Sequence, residues 1–179
     1  MDLEIITRRL RLSRLAPSDV MAIYEYRSDP EVCRYQSFEP GSIEDAAAFT
    51  ARLQGYPFDT PGTWFQFAIR QAGSAEVIGD VGVHFPDDSP RQAEIGFTLA
   101  PAYQGRGYAT EAVSALIEHL LGSCKKHRVF ASVDPRNIRS VALLERLGMR
   151  QEAHFRESLW FKGEWVDDVI YAILRSEWA

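Results

Sequence analysis

A glycine-rich turn with a carboxylate upstream is the segment whose residue types and spacing could do chemistry. The turn reads Gln104-Gly105-Arg106-Gly107-Tyr108-Ala109, Thr110 follows it, and Glu94 lies on the strand that leads into it. Glycines allow several backbone N–H groups to point at one spot, and the start of the following helix adds the positive end of its dipole. The pattern predicts a phosphate-binding turn beside a potential general base. The alternative is a helix start that uses glycine for close packing.

Positive charge follows the turn. The segment 125–150 has seven basic and two acidic residues, although the whole chain has 20 basic and 25 acidic residues and a net charge of −5. The basic residues are Lys125, Lys126, Arg128, Arg136, Arg139, Arg146 and Arg150. They indicate either a solvated surface or a site for a polyanionic cofactor near Arg106.

A second helix start lies after the next strand. Asn137 is a favourable N-cap, Ser140 falls in the first turn, and Gly148 suits the position after the last turn. Because this helix follows a strand parallel to the one before the glycine turn, we expect its start to face the same cleft.

Apolar periodicity predicts the elements that position these residues. The expected strands are 7–15, 64–70, 77–85, 95–100, 129–133, 151–161 and 165–174, and the expected helices are 17–28, 43–54, 108–121 and 138–147. We expect Val77 and Val81 on one face of their strand and Asp80 and His84 on the other. Gly122 is the expected end of the long helix.

This order predicts an α/β fold with one mixed, twisted sheet of about seven strands and helices on both faces. The strand–helix–strand unit around Gly107 must be parallel, because a crossover helix joins its strands, whereas the hairpins are antiparallel. A chain of 179 residues fits one domain, spanning 1–179.

Composition excludes several classes. The acidic balance disfavours nucleic acid as a partner, and no apolar run is long enough to cross a membrane. The two distant cysteines and the absence of a leader-like start predict a cytoplasmic, reduced protein. The four histidines lack metal-ligand spacing, so we expect no metal.

The chain resembles the GNAT acetyltransferases, which transfer an acetyl group from acetyl-CoA to an amine. The glycine turn matches their Q/R-x-x-G-x-G/A pyrophosphate motif. Three further segments resemble the ribosomal-protein N-acetyltransferase-like branch, namely Thr7-Arg8-Arg9-Leu10-Arg11-Leu12, Asn137-x-x-Ser140 and Trp160-x-x-Gly163-x-Trp165-x-Asp167.

The resemblance implies roles in cofactor binding. Backbone N–H groups of residues 104–109 and the Thr110 hydroxyl would hold the CoA pyrophosphate. Leu99 would pair its backbone with the pantetheine arm, in a gap between two splayed parallel strands. Asn137 would hydrogen-bond the arm near its reacting end.

The chemistry requires a base, because an alkyl ammonium of pKa about 10 must lose a proton before its nitrogen can attack. Glu94 matches the strand position that carries the base in some family members, with Glu157 or water as alternatives. A proton donor near sulfur would help the CoA thiolate to leave. Leu144 stands where many members have a tyrosine for this purpose, which leaves Ser140 as the candidate.

The acceptor site is harder to predict. Trp64, Trp160 and Trp165 are expected in the core, although they could line an acceptor pocket. Asp167 and Asp168 could attract a cationic amine or lie in solvent.

The favoured function is an acetyl-CoA-dependent N-acetyltransferase acting by direct attack in a ternary complex, on a protein N-terminus or a small-molecule amine, as a monomer or homodimer. The alternative is a non-catalytic CoA-binding module. A third possibility, a dinucleotide-binding dehydrogenase, would use Gly105, Gly107 and Asp134. It is disfavoured because Thr110 replaces the third glycine and antiparallel strands precede the turn.

Overall fold

The computed structural model describes residues 3–178, in which eight strands form one mixed sheet of order β1-β2-β3-β4-β5-β6-β8-β7. The strands are β1 (Glu4–Ile6), β2 (Leu10–Arg14), β3 (Thr63–Gln71), β4 (Val77–Phe85), β5 (Gln92–Leu99), β6 (Arg128–Val133), β7 (Arg150–Phe161) and β8 (Glu164–Leu174). The helices are α1 (Val20–Arg27), α2 (Pro30–Cys33), α3 (Ile43–Arg52), α4 (Tyr108–Glu118) and α5 (Ile138–Arg146).

The helices cover both faces of the sheet. Phe67 and Ile95 belong to the larger core cluster, together with Ile117 of α4. Ala68, the next residue of β3, packs in a smaller cluster with Ile23 of α1. Because side chains alternate along a strand, the two clusters lie on opposite faces. The predicted α/β class, with a mixed sheet and helices on both faces, is confirmed.

A gap opens in the middle of the sheet. Strands β5 and β6 are parallel, as the crossover helix requires, but they pair only from Gln92↔Arg128 to Glu94↔Phe130. Beyond that point β5 continues to Leu99 and β6 to Val133 without pairing each other. The two strands therefore diverge just after Glu94.

Apolar periodicity did not predict two short elements, β1 and α2. Strand β1 raises the strand count from the expected seven to eight, and of its three residues only Ile5 is even half-buried. Helix α2 begins where we expected the preceding helix simply to end. There the Asp29 carboxylate accepts a hydrogen bond from the Glu31 N–H at 2.9 Å and starts a new turn after Pro30.

The predicted face of Val77 is wrong. The register of β3 and β4 shifts near Ile69, so that Ile69 pairs with Gly79 but Arg70 pairs with Val77. The extra residue, Ile78, breaks the two-residue alternation. Ile78 therefore enters the larger core cluster, and Val77 joins the smaller one.

Gly122 does not end the long helix. After α4 the chain continues through a wider turn, His119–Ser123, in which the Cys124 N–H bonds to the His119 carbonyl at 3.0 Å. The first residue with left-handed backbone after it is Lys125, at φ 58°. Two residues of this wider turn, Leu120 and Leu121, are buried in the core.

Candidate functional site

The glycine turn has the backbone geometry that phosphate binding needs. Gly105 and Gly107 have left-handed φ angles of 73° and 78°, and Gly107 is the N-cap of α4. Residues with a Cβ rarely adopt this conformation. The first N–H groups of a helix have no intrahelical partner, so those of α4 point out of its start beside the turn.

Two arginines of α5 reach the turn. Arg139 donates from Nη1 to Gln104 Oε1 at 2.8 Å, and Arg146 donates from Nη1 to Thr110 Oγ1 at 3.4 Å. They are two helical turns apart and so share one face of α5. Four of the other basic residues of the segment pair elsewhere, namely Lys126 with Asp59, Arg128 with Glu152, Arg136 with Asp134 and Glu164, and Arg150 with Glu177.

Two side-chain amides contact the edge of β5 that faces the gap. The Ala100 N–H bonds to Ile78 of β4, so the alternate residues Phe97 and Leu99 turn their backbone groups towards the gap. Gln104 Nε2 donates to the Leu99 carbonyl at 2.9 Å, and Gln36 Nε2 donates to the Phe97 carbonyl at 3.4 Å. An extended ligand can replace such contacts without breaking the sheet.

The start of α5 confirms the predicted cap. The Asn137 carboxamide oxygen accepts the Ser140 N–H at 3.3 Å, which leaves the Asn137 amide group for other partners. Ser140 lies half-buried in the first turn of α5, beyond the end of β6. Leu144 is buried in the larger core, so it offers neither a hydroxyl nor access to a ligand.

Glu94 lies on the opposite face of the sheet from α4 and α5. Its neighbours Ala93 and Ile95 enter the larger core, so the Glu94 carboxylate points towards the side of α1–α3. His84 of β4 stands directly across from it, with Nδ1 at 3.4 Å from Glu94 Oε2. The Trp64 ring stacks on His84 at 5.2 Å between centroids.

The surroundings of Glu94 raise the pKa of its carboxyl group. Burial raises its pKa above the ordinary glutamate value, His84 counteracts this, and the negative charge of Asp168 raises it further. Asp168 is held on the same face by Ser132, whose hydroxyl donates to the Asp168 carboxylate at 2.6 Å. A carboxylate that holds a proton more tightly is a better acceptor for an amine proton.

An open recess lies beside this carboxylate. Gly82 and Gly96 pair across β4 and β5, so no side chain rises there on the Glu94 face. A Cβ built on Gly96 would meet nothing within 4 Å, whereas one on Gly82 would come within 2.6 Å of Gln66 Oε1 and 3.2 Å of Trp64. The recess therefore lies over Gly96, with Glu94 next to it, and Gln66 and Trp64 occupy the space over Gly82.

The segment after α2 bridges the gap on this face. The Tyr35 hydroxyl donates to the Arg136 carbonyl at 3.3 Å, in the loop between β6 and α5. Lys162, in the β7–β8 turn, donates to the Cys33 carbonyl and to the Glu39 carboxylate, each at 2.7 Å. These contacts hold the segment after α2 against the Glu94 face of the sheet, beside the gap.

The three tryptophans are not in the core, so that expectation is wrong. Trp64, Trp160 and Trp165 are 41%, 58% and 59% exposed. Strand β8 pairs with β6 only as far as Val169, so its first residues form a protruding arm with β7. Trp160 and Trp165 pack edge to face on that arm, while Trp64 lies at the recess.

Glu157 and Asp167 lie away from Glu94. Glu157, the alternative base, is exposed in a bulge of β7 and has a φ of 45°. Its N–H bonds to Asp167 at 2.8 Å, and His154 contacts the same carboxylate at 2.7 Å. The Glu157 N–H and His154 together lower the pKa of Asp167. Of the two adjacent aspartates, only Asp168 turns towards Glu94.

Sequence reasoning did not place His84, Gln36 or Arg9 at the site. The position of His84 could have been predicted from the turn between β4 and β5. In an antiparallel pair, residues at equal distances from the turn face each other, which puts His84 opposite Glu94. No local pattern identifies Gln36 or Arg9, whose contacts join segments far apart in the chain. Within residues 3–178, no group of three or more potential ligands could hold a metal ion, and no helix is long and apolar enough to cross a membrane.

The chain is similar to known acetyltransferases over nearly its whole length. Residues 9–150 match the family model described as acetyltransferase (GNAT) domain. The uncharacterized N-acetyltransferase YnaD of Bacillus subtilis is 32% identical over 176 residues, covering 98% of this chain and 99% of that protein. The [ribosomal protein uS5]-alanine N-acetyltransferase of Escherichia coli is 30% identical over 122 residues, covering 68% of this chain and 63% of that protein.

Comparison with solved structures leads to the same family. The crystal structure of a GNAT-family acetyltransferase from Bacillus anthracis superimposes with a TM-score of 0.88 at 29% identity, covering 98% of this chain and all of that one. Only β5 and β6 among the described strands pair in parallel, which does not fit a dinucleotide-binding sheet. The protein is an acyltransferase, and the chain belongs to the GNAT acetyltransferase family.

Proposed function

We propose that residues 1–179 form one N-acetyltransferase domain that transfers an acetyl group from acetyl-CoA to a primary amine by direct attack in a ternary complex. One observation carries this proposal. Glu94, with His84 beside it, occupies the last paired position before β5 and β6 diverge. A base at the mouth of a gap between two faces can meet a donor that enters from the other face.

The donor site lies on the side of α4 and α5. The N–H groups of the glycine turn, the Thr110 hydroxyl, Arg139 and Arg146 surround the position for a pyrophosphate. The pantetheine arm then runs along the free edge of β5, where it replaces the amide contact at Leu99. The amide group of Asn137 remains available to it at the start of α5.

The reaction needs one proton acceptor and one donor. Glu94 takes a proton from the ammonium, and the freed nitrogen lone pair forms a bond to the thioester carbonyl carbon. Backbone N–H groups on the free edge of β5 stabilise the resulting oxyanion. Collapse of this intermediate breaks the C–S bond. The leaving thiolate accepts a hydrogen bond from Ser140 and takes up the proton that the attacking nitrogen loses as the neutral amide forms.

The acceptor side suits a positively charged amine. Glu94 and Asp168 carry negative charge on one face, and the open space over Gly96 leaves room for an alkyl chain. The relative that acts on a ribosomal protein alanine favours a protein N-terminus as acceptor. A small-molecule amine is the second candidate, because the recess beside Gly96 is open.

The test is thiol release from acetyl-CoA with a panel of amines, comparing wild type with Glu94→Gln. The variant keeps the shape but cannot accept the proton, so we expect kcat to fall about 100- to 1,000-fold, within the range for general base catalysis. Its acetyl-CoA affinity stays within about 2-fold, since the phosphate contacts are on the other face.

The matched control is Glu157→Gln, which changes an exposed glutamate in the bulge of β7 and leaves kcat unchanged. Equal turnover of wild type and Glu94→Gln across several pH values would remove Glu94 from the mechanism. Wild-type binding of acetyl-CoA without thiol release to any peptide or small amine would favour the non-catalytic alternative.

A further inference from the structure

An arginine almost a hundred residues before the glycine turn is held against it. We infer that Arg9 is a positioning residue for the turn, fixing its backbone and cancelling the charge of Glu111 so that a pyrophosphate can bind. This inference rests on the proposed function, in which the turn holds the phosphates of acetyl-CoA.

Arg9 fixes one peptide group of the turn. Its Nη1 donates to the Arg106 carbonyl at 3.0 Å, and its guanidinium carbon lies 4.5 Å from the centre of the Tyr108 ring. In a trans peptide the C=O and the following N–H point in opposite directions. Holding the Arg106 carbonyl towards Arg9 therefore turns the Gly107 N–H away from Arg9, to the side left open for a ligand.

Arg9 also neutralises the carboxylate of Glu111, whose negative charge would disfavour phosphate binding. Glu111 lies in the first turn of α4, where its charge would repel a phosphate at the helix start. Arg9 binds it twice, from its backbone N–H at 2.9 Å and from Nε at 2.6 Å, and the Thr7 hydroxyl donates to it at 2.7 Å. Burial acts to raise the pKa of Glu111, but the bonds from Thr7 and Arg9 outweigh it and lower that pKa.

This arrangement explains the opening motif Thr7-Arg8-Arg9-Leu10, which no step of the chemistry uses. The Thr7 hydroxyl also accepts the Leu10 N–H at 2.9 Å, which ties the tight connection between β1 and β2 to Glu111. The first two strands thus serve as a brace for a turn that begins at residue 104.

The test compares two acetyl donors, acetyl-CoA and S-acetyl-pantetheine, which lacks the phosphates. In Arg9→Met we expect the KM for acetyl-CoA to rise about 10-fold or more, the loss typical of hydrogen bonds to charged groups. The kcat at saturating acetyl-CoA and the KM for S-acetyl-pantetheine stay within about 2-fold, because neither depends on the phosphates. Arg11→Met is the control, since Arg11 lies two residues further along, in β2, and pairs with Glu4 at 3.2 Å.

Removing the uncompensated carboxylate rescues part of the defect. In Arg9→Met/Glu111→Gln the KM for acetyl-CoA returns part of the way to the wild-type value, because the double variant removes the unpaired charge of Glu111 but does not restore the bond to the Arg106 carbonyl. Arg9→Lys restores the charge without the planar fork and gives an intermediate KM, which also tests the inference if Arg9→Met does not fold.

Equal weakening of both donors, or no rescue by Glu111→Gln, would overturn the positioning role. The proposed function is tested separately by the wild-type protein. If wild type does not bind acetyl-CoA, the proposed function fails. If wild type binds normally and Arg9→Met binds equally well, only the role of Arg9 fails.

Discussion

The glycine turn and the Glu94 face are the two halves of the proposed site, and they are built in different ways. The turn is a contiguous segment whose glycines set its own backbone. The Glu94 face gathers Trp64, His84, Glu94 and Asp168 from four different strands. A local conformation makes the first half, and strand register makes the second, so the two halves respond differently to mutation.

The two halves also differ in charge. Arg139 and Arg146 border the turn, and Arg9 neutralises the carboxylate of Glu111 beside it. On the other face the negative charge of Asp168 acts on Glu94. The opposite signs suit a polyanionic donor on one side of the gap and a cationic acceptor on the other.

The largest expected effect comes from filling the turn. Gly107→Trp puts a large side chain at a left-handed position that begins α4, so we expect acetyl-CoA affinity to fall by more than about 100-fold. Isothermal titration measures the loss, and circular dichroism verifies the fold.

The control for that loss is Gly73→Trp. Gly73 has the same φ of 78° in the β3–β4 hairpin, and a Cβ there meets nothing within 4 Å. It therefore carries the same backbone strain far from the turn. Normal acetyl-CoA binding by a folded Gly107→Trp protein would refute the phosphate-binding turn.

A smaller effect is expected from the arginines of α5. Replacing Arg139 and Arg146 together by methionine removes two exposed cations, and we expect acetyl-CoA affinity to fall about 5- to 20-fold. The difference shrinks at high salt because the charges are exposed. Arg150→Met, which breaks only the pair with Glu177, should leave the affinity unchanged. An equal loss in the control would show a general charge effect instead.

The smallest effects are shifts in pH dependence on the Glu94 face. The proposed mechanism requires ionised Glu94, so we expect activity to be lost as pH falls through the raised pKa of that carboxyl group. Asp168→Asn removes a repulsive charge and moves the acidic limb of kcat/KM to lower pH. His84→Asn removes a group that favours ionised Glu94 and moves the limb to higher pH. Shifts in the same direction would contradict this electrostatic account.

The difference between local conformation and strand register also determines which features can be predicted from the sequence. Local signals gave the glycine turn, the apolar stripe of α4, the Asn137 cap and the parallel crossover, because each depends on residues close together in the chain. The crossover in turn fixed the mixed sheet and its two helical faces.

Features that depend on register or on tertiary contacts were missed. A single bulged residue, Ile78, moved Val77 to the other face, and β1 is too short for a periodic pattern. Tryptophan is a residue type that is usually largely buried, which favoured a core position for Trp160 and Trp165. Their strands extend past the end of β6, so both side chains stay exposed. The contact of Arg9 with Arg106 joins segments that no sequence pattern connects.

The most direct test of the account is isothermal titration of the wild-type protein with acetyl-CoA, with NAD as the comparison ligand. The account predicts saturable binding of acetyl-CoA and none of NAD, since the turn recognises phosphates and the β5–β6 gap accepts the pantetheine arm. No binding of acetyl-CoA, or equal binding of NAD, would contradict it.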